Sequence, residues 1–298
     1  MDYLSRVSKV FESAEEIDFD DYSKFVLMSD CHRGDGSWAD SFSRNQNIYF
    51  AALTHYFNRN YTYIEIGDGD ELWENRKMTD VLYEHSDVFW IMRKFYEKNR
   101  LYLIYGNHDM VKKHPEFVEK NLYRYFSERD NKYYDLFKGI KIHEGIILNY
   151  KKTGNKILLL HGHQVDFLNG SMWKISRFMV RYLWKPLENL SIKDRTRTAK
   201  NYKKKNDVAQ KLTDWVVKEN KMIIAGHNHR PTFPEYDDPP YFNDGCCVHT
   251  RCITGIEIAK GNITLVKWSV KPDEKGMLKV ARDIVAGPCK ISGYFQSN

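Results

Sequence analysis

The sequence predicts a layered α/β protein, and three observations carry that reading. Short apolar runs of four to six residues alternate with stretches of helical period through the first two thirds of the chain. Each run stops at a carboxylate, an imidazole or a Gly-Asp step. Beyond Tyr133 the period changes to strand-like runs joined by tight turns, with one long helical stretch among them.

Phe25-Val26-Leu27-Met28 reads as a buried strand that stops at Ser29-Asp30. Ser41 to Tyr56 places Phe42, Ile48, Ala52, Leu53 and Tyr56 at helical spacing. The next strand, Tyr61 to Ile66, ends at Gly67-Asp68, and a helix is expected over Val81 to Lys98. Leu101 to Tyr105 ends at Gly106-Asn107-His108-Asp109. Ile140 to Asn149 and Lys156 to Leu160 are strand-like and joined by the Lys152-Thr153-Gly154-Asn155 turn. A long helical stretch spans about Asn169 to Glu219, after which strands return at Met222–Ala225, Cys252–Ile258 and Ile263–Trp268. The last two form a hairpin across Lys260-Gly261-Asn262. There is no repeat and no low-complexity linker. The expectation is one domain over residues 1–298, with a basic amphipathic helical insertion at about 166–220.

Composition excludes several classes. The 298 residues include no run of eighteen apolar positions, so no transmembrane helix is expected. The acidic first twenty-one residues lack the apolar segment of a secretory signal. Five cysteines are too few for a disulfide scaffold, and Cys246-Cys247 has no second pair to complete a zinc site. A reducing, cytoplasmic setting is expected. At 14% aromatic the chain is not disordered. The net charge of +6 is unevenly placed. Gly170 to Trp215 holds twelve Lys/Arg against four Asp/Glu, a local +8 that leaves about −2 for the remainder.

The chemistry concentrates where the strands end. Asp30-Cys31-His32, Asp68, Asn107-His108-Asp109, His161-Gly162-His163 and His227-Asn228-His229 each follow an expected strand. In open α/β sheets the functional crevice lies outside the carboxyl ends of the strands, so five such ends would converge. Mixed His, Asp and Asn suit Mn²⁺, Fe²⁺ or Zn²⁺ and not a thiolate site. In an extended segment, D-x-H or H-x-H turns both side chains to one face and leaves Cys31 pointing away into packing. The donors outnumber the needs of one ion, and a carboxylate can bridge two ions about 3.5–4 Å apart, the clamp used on phosphate esters.

The ordered set D-x-H (Asp30, His32), G-D-x-x-E (Gly67, Asp68, Glu71), G-N-H-D (Gly106 to Asp109), H (His161) and G-H-x-H (Gly226, His227, His229) resembles the calcineurin-like metallophosphoesterases over about Phe25 to Trp268. The resemblance implies a four-layer α/β/β/α sandwich and a dinuclear, often Mn²⁺-dependent site. By matching motif, Asp30, His32, Asp68 and His229 would hold one ion, and Asp68, Asn107, His161 and His227 the other. It further implies in-line attack on phosphorus by a hydroxide bridging the ions. His108 would be the general acid on the leaving oxygen, with Asp109 as its orienting partner and Glu71 in a supporting role.

The +8 segment bears on the substrate. At 100° per residue Lys174, Arg177, Arg181 and Lys185 fall on one narrow stripe, opposite Met172, Trp173, Ile175, Met179, Val180, Leu183, Trp184 and Leu187. Such a helix can lie on an anionic membrane or close over an acyl chain while its cations hold phosphates. The whole-chain pattern is most similar to the UDP-2,3-diacylglucosamine hydrolase branch, which places a basic helical lid after its H-G element and cleaves a pyrophosphate bearing acyl chains. Two positions depart from it: His163 stands where that branch usually has Asp, and His108 where it usually has Arg. The expectation is a lipid-linked phosphate or pyrophosphate ester, hydrolysed in the cytoplasm or at the inner membrane face. Lys174, Arg177, Arg181, Arg33, His163 and Arg251 are candidate phosphate contacts. A soluble phosphodiesterase or nucleotidase, or a protein phosphatase-like enzyme, is the competing reading. A catalytically silent scaffold ranks below these, because binding alone needs no positioned acid. Nucleic acid ranks below lipid as a partner, and no protein partner is expected.

Overall fold

The computed structural model describes residues 2–127, 130–166 and 197–295, with the backbone alone at 127 and over 197–205. In chain order the elements are α1 (Tyr3–Ser13), β1 (Glu15–Phe19), β2 (Lys24–Met28), α2 (Gln46–Asn58), β3 (Thr62–Ile66), α3 (Met78–Glu84), α4 (Ser86–Glu97), β4 (Leu101–Ile104), α5 (Pro115–Leu122), β5 (Arg124–Ser127) and β6 (Lys132–Asp135). They continue with β7 (Ile142–His143), β8 (Gly145–Tyr150), β9 (Asn155–Leu160), α6 (Arg197–Glu219), β10 (Met222–Ala225), β11 (Tyr241–Asn243), β12 (Cys252–Ala259), β13 (Asn262–Pro272) and β14 (Leu278–Lys290).

Two sheets form, ordered β1-β8-β9-β10-β11 and β14-β13-β12-β2-β3-β4-β7, with β5-β6 as a separate hairpin. The two-residue period of the strands sorts their side chains into layers. Phe25 and Leu27, Ile64 and Ile66, Ile157 and Leu159, and Met222 and Ile224 point between the sheets. Their alternates Val26, Met28 and Tyr63 point outward and are covered by Ile48, Ala52 and Leu53 of α2 and by Phe89, Met92 and Phe95 of α4. On the other side Leu158, Leu160, Ile223 and Ala225 meet Val7 and Val10 of α1 and the stripe Val208, Leu212, Trp215 and Val216 of α6. The result is the α/β/β/α sandwich, since a strand buried on both faces needs an apolar partner on each.

Several elements differ from the sequence expectation. The helix expected over Val81–Lys98 is two helices broken at His85, whose buried ring contacts Asp40 and Gln46 and holds a non-helical backbone. The helix expected from Ser41 begins at Gln46, because the Asp40 carboxylate accepts the Phe42 and Ser43 amides and holds a turn there. The strand expected over Ile140–Asn149 divides at Glu144: β7 pairs with β4 and β8 with β1 and β9, so the chain crosses between sheets. The expected helical insertion lies mostly outside the described residues, which include only its last part, α6.

Strands β2, β3 and β4 run parallel in one sheet, and β9, β10 and β11 in the other. The loops at their carboxyl ends are bonded to one another. The Asp30 amide donates to Gly67 O at 3.1 Å, the His32 amide to Asp68 O at 2.9 Å and the Gly226 amide to His161 O at 3.2 Å. The Cys247 amide donates to Asp30 O at 3.2 Å, and the His227 amide crosses from the second sheet to Asp30 Oδ2 at 2.8 Å. That crossing brings both sets of strand ends into one site.

Candidate metal centre

Five residues of the cluster take left-handed backbone angles: Asp30 (φ 51°), His32 (49°), Asp68 (50°), His227 (70°) and His229 (56°). Non-glycine residues rarely adopt this region, and each such position costs on the order of 1–3 kcal/mol. The expectation that D-x-H and H-x-H converge by strand alternation is therefore corrected. Kinks directly after the strands turn these side chains inward. Gly106 permits a close approach, because a Cβ there would fall on the Asp68 carboxylate and amide.

Two donor groups share the site. Asp30, His32 and His229 form one, and Asp68, His161 and His227 the other. His229 Nε2 lies 3.0 Å from Asp30 Oδ1, and His32 Nε2 lies 3.3 Å from His229 Nε2 and 3.7 Å from Asp30 Oδ1. In the second group His161 Nε2 is 3.1 Å from Asp68 Oδ2 and 3.3 Å from His227 Nδ1. Asp68 Oδ2 also stands 3.8 Å from His32 Nε2, between the two groups. Donors bound at about 2.1 Å to a common ion sit roughly 3–3.5 Å apart, and His229–Asp30, His32–His229, His161–Asp68 and His161–His227 fall in that range.

In five of the ligands the other side-chain atom is already held. Asp68 Oδ1 accepts the His108 amide at 2.8 Å, and Asp30 Oδ2 accepts the His227 amide and the Ser29 hydroxyl. His161 Nδ1 donates to Ile66 O at 2.9 Å, His32 Nδ1 meets Glu71 Oε2 at 3.1 Å, and His227 Nε2 lies 3.5 Å from Asp166. Such contacts orient metal ligands. Asp30 Oδ1 and Asn107 Oδ1 are buried acceptors without a hydrogen-bond partner among the described residues. Two orphaned oxygens in an N/O donor set fit a pair of divalent cations.

The charges interlock. Burial would raise the Asp30 carboxyl, but His229 and His161 outweigh it and hold the group well below the ordinary range. Asp68 behaves alike, lowered by His161 and His108. Burial opposes the protonated form of His161, yet Asp68 and Asp30 lift it to about 9. Burial and the charge of Asp30 push Asp244 well above the ordinary carboxylate range, and its Oδ1 accepts the Ser29 hydroxyl at 2.7 Å. The same hydroxyl also lies within hydrogen-bond distance of Asp30 Oδ2.

His108 stands at the rim with its side chain about a quarter exposed (23%). Its ring stacks on Trp73 at 4.2 Å and meets the edge of His32 at 4.6 Å. Nδ1 lies 2.6 Å from Glu71 Oε2. Burial opposes the imidazolium, but Glu71 and Asp68 raise its pKa above the ordinary value.

Two expected roles are corrected. Asp109 does not orient His108; its carboxylate accepts the Gly106 amide at 2.7 Å and the Lys112 ammonium at 2.7 Å, and Glu71 takes the place beside the imidazole. Arg33 does not face a substrate. It is fully buried, donating to Glu65 through both terminal nitrogens and to Asp70 through Nε at 2.7 Å. His163 is buried beside His161, with ring centroids 5.6 Å apart, and burial together with His161 and His227 holds it neutral, well below the ordinary value. Arg251 is exposed on the turn entering β12, and none of its described contacts reaches the donor groups. Lys174, Arg177 and Arg181 lie outside the described residues. The sequence reading missed Trp73, Asp166 and the Ser29–Asp244 pair. Asp244 was detectable only as the end of β11, a strand of three residues that carries little periodicity.

A family model described as calcineurin-like phosphoesterase matches residues 23–231. No curated protein sequence matches the chain. Among solved structures, Vps29 of Chaetomium thermophilum aligns at 11% identity and a TM-score of 0.41, covering 88% of this chain and 95% of that one.

Proposed function

The chain belongs to the calcineurin-like phosphoesterase family, and from that premise we propose that it is an active phosphoesterase that hydrolyses a phosphate or pyrophosphate ester. The observation that carries this reading is the pair of adjoining donor groups with Asp68 standing between them, and His108 held at their rim by Glu71 and Trp73. Asp30, His32, Asp68 and His229 would hold one divalent cation, and Asp68, Asn107, His161 and His227 the other. Mn²⁺ is the first choice, with Fe²⁺ and Zn²⁺ open to the same donors. Bound there, two cations supply an activated water and neutralise charge on the phosphoryl oxygens.

The residues do the rest. Glu71 holds His108 Nδ1, leaving the Nε2 proton for the departing ester oxygen as the P–O bond breaks. Trp73 fixes the plane of that imidazole. Ser29, placed between Asp244 and Asp30, aims the Asp30 carboxylate, and His229 and His161 keep it ionised. A lipid-linked ester is supported by the amphipathic run from Met172 to Leu187. Five free cysteines support a reducing compartment.

The test is metal removal and return. Chelated protein given Mn²⁺ is expected to take up close to two equivalents and to hydrolyse p-nitrophenyl phosphate or its bis ester. Asp68→Ala should reduce turnover to background. No metal uptake and no hydrolysis with Mn²⁺, Fe²⁺ or Zn²⁺ would overturn the reading.

A further inference from the structure

The seven-stranded sheet ends in β14, which pairs with β13 alone among the described residues. Such an edge presents a row of backbone amides and carbonyls that another strand can take up, and proteins commonly blunt it. The second half of β14 is blunted. Register shifts interrupt its pairing beyond Ile284, and Gly287-Pro288 follows, where proline has no amide to donate. The first half is open. From Leu278 to Ile284 every residue keeps one register against Pro272 to Val266, with no proline or glycine in the run. Seven such residues at about 3.4 Å each make an edge roughly 24 Å long. The same hairpin exposes Val270, Met277, Leu278, Ile284 and Val285.

This open run is self-complementary. Two copies related by a two-fold axis through the edge would pair antiparallel. Alternate residues point to opposite faces, so even-numbered residues would meet even and odd would meet odd. The register is then set by which residue lies on the axis. An axis at Lys279, Arg282 or Asp283 sets that charge against its own copy, which is destabilising. An axis at Val280 sets the Arg282 side chain against Leu278. Only an axis at Ala281 sets Lys279 against Asp283 of the second copy, and Leu278 against Ile284, each twice by symmetry. It also sets Val280 against Arg282, whose guanidinium is already neutralised by Glu257 at 2.7 and 2.6 Å. Within one copy Lys279 contacts Asp273 at 2.7 Å and Asp283 contacts Lys271 at 2.6 Å. Pairing about Ala281 would join these contacts into a row of alternating charge, Asp273–Lys279–Asp283–Lys271, across the interface.

We propose that β14 is a homodimerisation edge, and that two copies pair antiparallel over Leu278–Ile284 about Ala281 to make one continuous sheet. A single strand pair buries less than the roughly 1,200–2,000 Å² of a standard stable interface, so the dimer is expected to be weak. Its dissociation constant should fall at about 10–100 μM, where a few favourable cross-strand pairs decide the balance. β2, the nearest strand that leads to a metal donor, stands three places inward from β14. Dimerisation therefore leaves the donor groups uncovered, and the proposal is independent of the phosphoesterase reading.

The first experiment is sedimentation equilibrium of the full chain from about 1 to about 300 μM, a range that brackets the expected constant. The mass should rise from one chain toward two, and Asp283→Lys, which sets lysine against Lys279 of the second copy, should weaken association at least about tenfold. A mass of one chain throughout, or association that Asp283→Lys leaves unchanged, would overturn the proposal. The second experiment fixes the register by oxidative cross-linking, with wild type and its five native cysteines as background. In Ala281→Cys the new thiol meets its own copy with Cβ atoms about 4.5–5.5 Å apart, so a covalent dimer should form. In Lys279→Cys the two thiols stand four residues apart along the strands, about 14 Å, and cross-linking should stay at background. Association with Ala281→Cys at background would place the interface elsewhere on the molecule and defeat the β14 assignment.

Discussion

Glu71 touches two imidazoles at once, His32 at 3.1 Å and His108 at 2.6 Å. Burial alone would raise its carboxyl, yet His108 and His32 bring it down to about 2, so it is an anion at neutral pH. That charge in turn raises His108, which must carry a proton to act as an acid. Activity dependent on the acid is present below the pKa of His108 and lost as pH rises through it. Glu71→Gln removes the supporting charge, so the basic limb of the kcat/KM profile should move to lower pH. At the rate optimum, turnover should fall about 10–100-fold, the usual effect of losing a group that orients metal ligands. Metal content measured alongside should remain near that of wild type. An unmoved basic limb would assign the proton to another group.

At the scale of elements, three strand-end loops are held by a buried charge network. Arg33 follows β2, Asp70 follows β3, and Asp109 and Lys112 follow β4. Asp70 receives Arg33 at 2.7 Å and Lys112 at 2.6 Å, and all three are at most 3% exposed. The strained backbone at Asp30, His32 and Asp68 persists because neighbouring contacts over-determine it, and this network is the contact directly behind those loops. Burial would raise Asp70, but Arg33 and Lys112 lower it to about 2. A depressed carboxylate contributes stability above its unfolded value near 3.9, and that contribution disappears as pH falls through the folded value. Asp70→Asn should therefore destabilise the chelated protein by about 3–5 kcal/mol at pH 7, the usual loss when a buried pair is broken. In urea unfolding, the gap between variant and wild type should narrow as pH falls from 4 toward 2.

For the whole molecule, the site depends on two sheets being clamped face to face. Leu159 of β9 is fully buried in the layer between them, while its neighbours Leu158 and Leu160 pack on the α1 and α6 side. Leu159→Ala should destabilise by about 2–5 kcal/mol through lost burial and the cavity left behind. The urea midpoint should fall with an unchanged slope, and a midpoint equal to that of wild type would contradict the sandwich. The clamp also brings His161 from one sheet to within 3.1 Å of Asp68 from the other, and sets the His227 amide on the Asp30 carboxylate.

Much of this was legible in the chain itself. Periodicities of two and of 3.6 are local properties, so β2, β3, β4, β9, β10 and the β12–β13 hairpin could be read from apolar spacing, with the chemistry marking their ends. The weakly patterned elements were not: α1 and β1 were read only as an acidic N-terminal stretch, and β14 is an edge strand exposing Ile284 and Val285. The sequence determined by itself the order of the layers' building blocks and the residue types gathered at the strand ends, because both follow from nearest-neighbour geometry along the chain. Tertiary structure decided the rest. It placed Glu71 and not Asp109 beside His108, withdrew Arg33 into a buried ion pair, and turned Asp30, His32, Asp68, His227 and His229 inward through left-handed kinks. These outcomes depend on contacts between residues tens to hundreds of positions apart, whose energies no local pattern encodes.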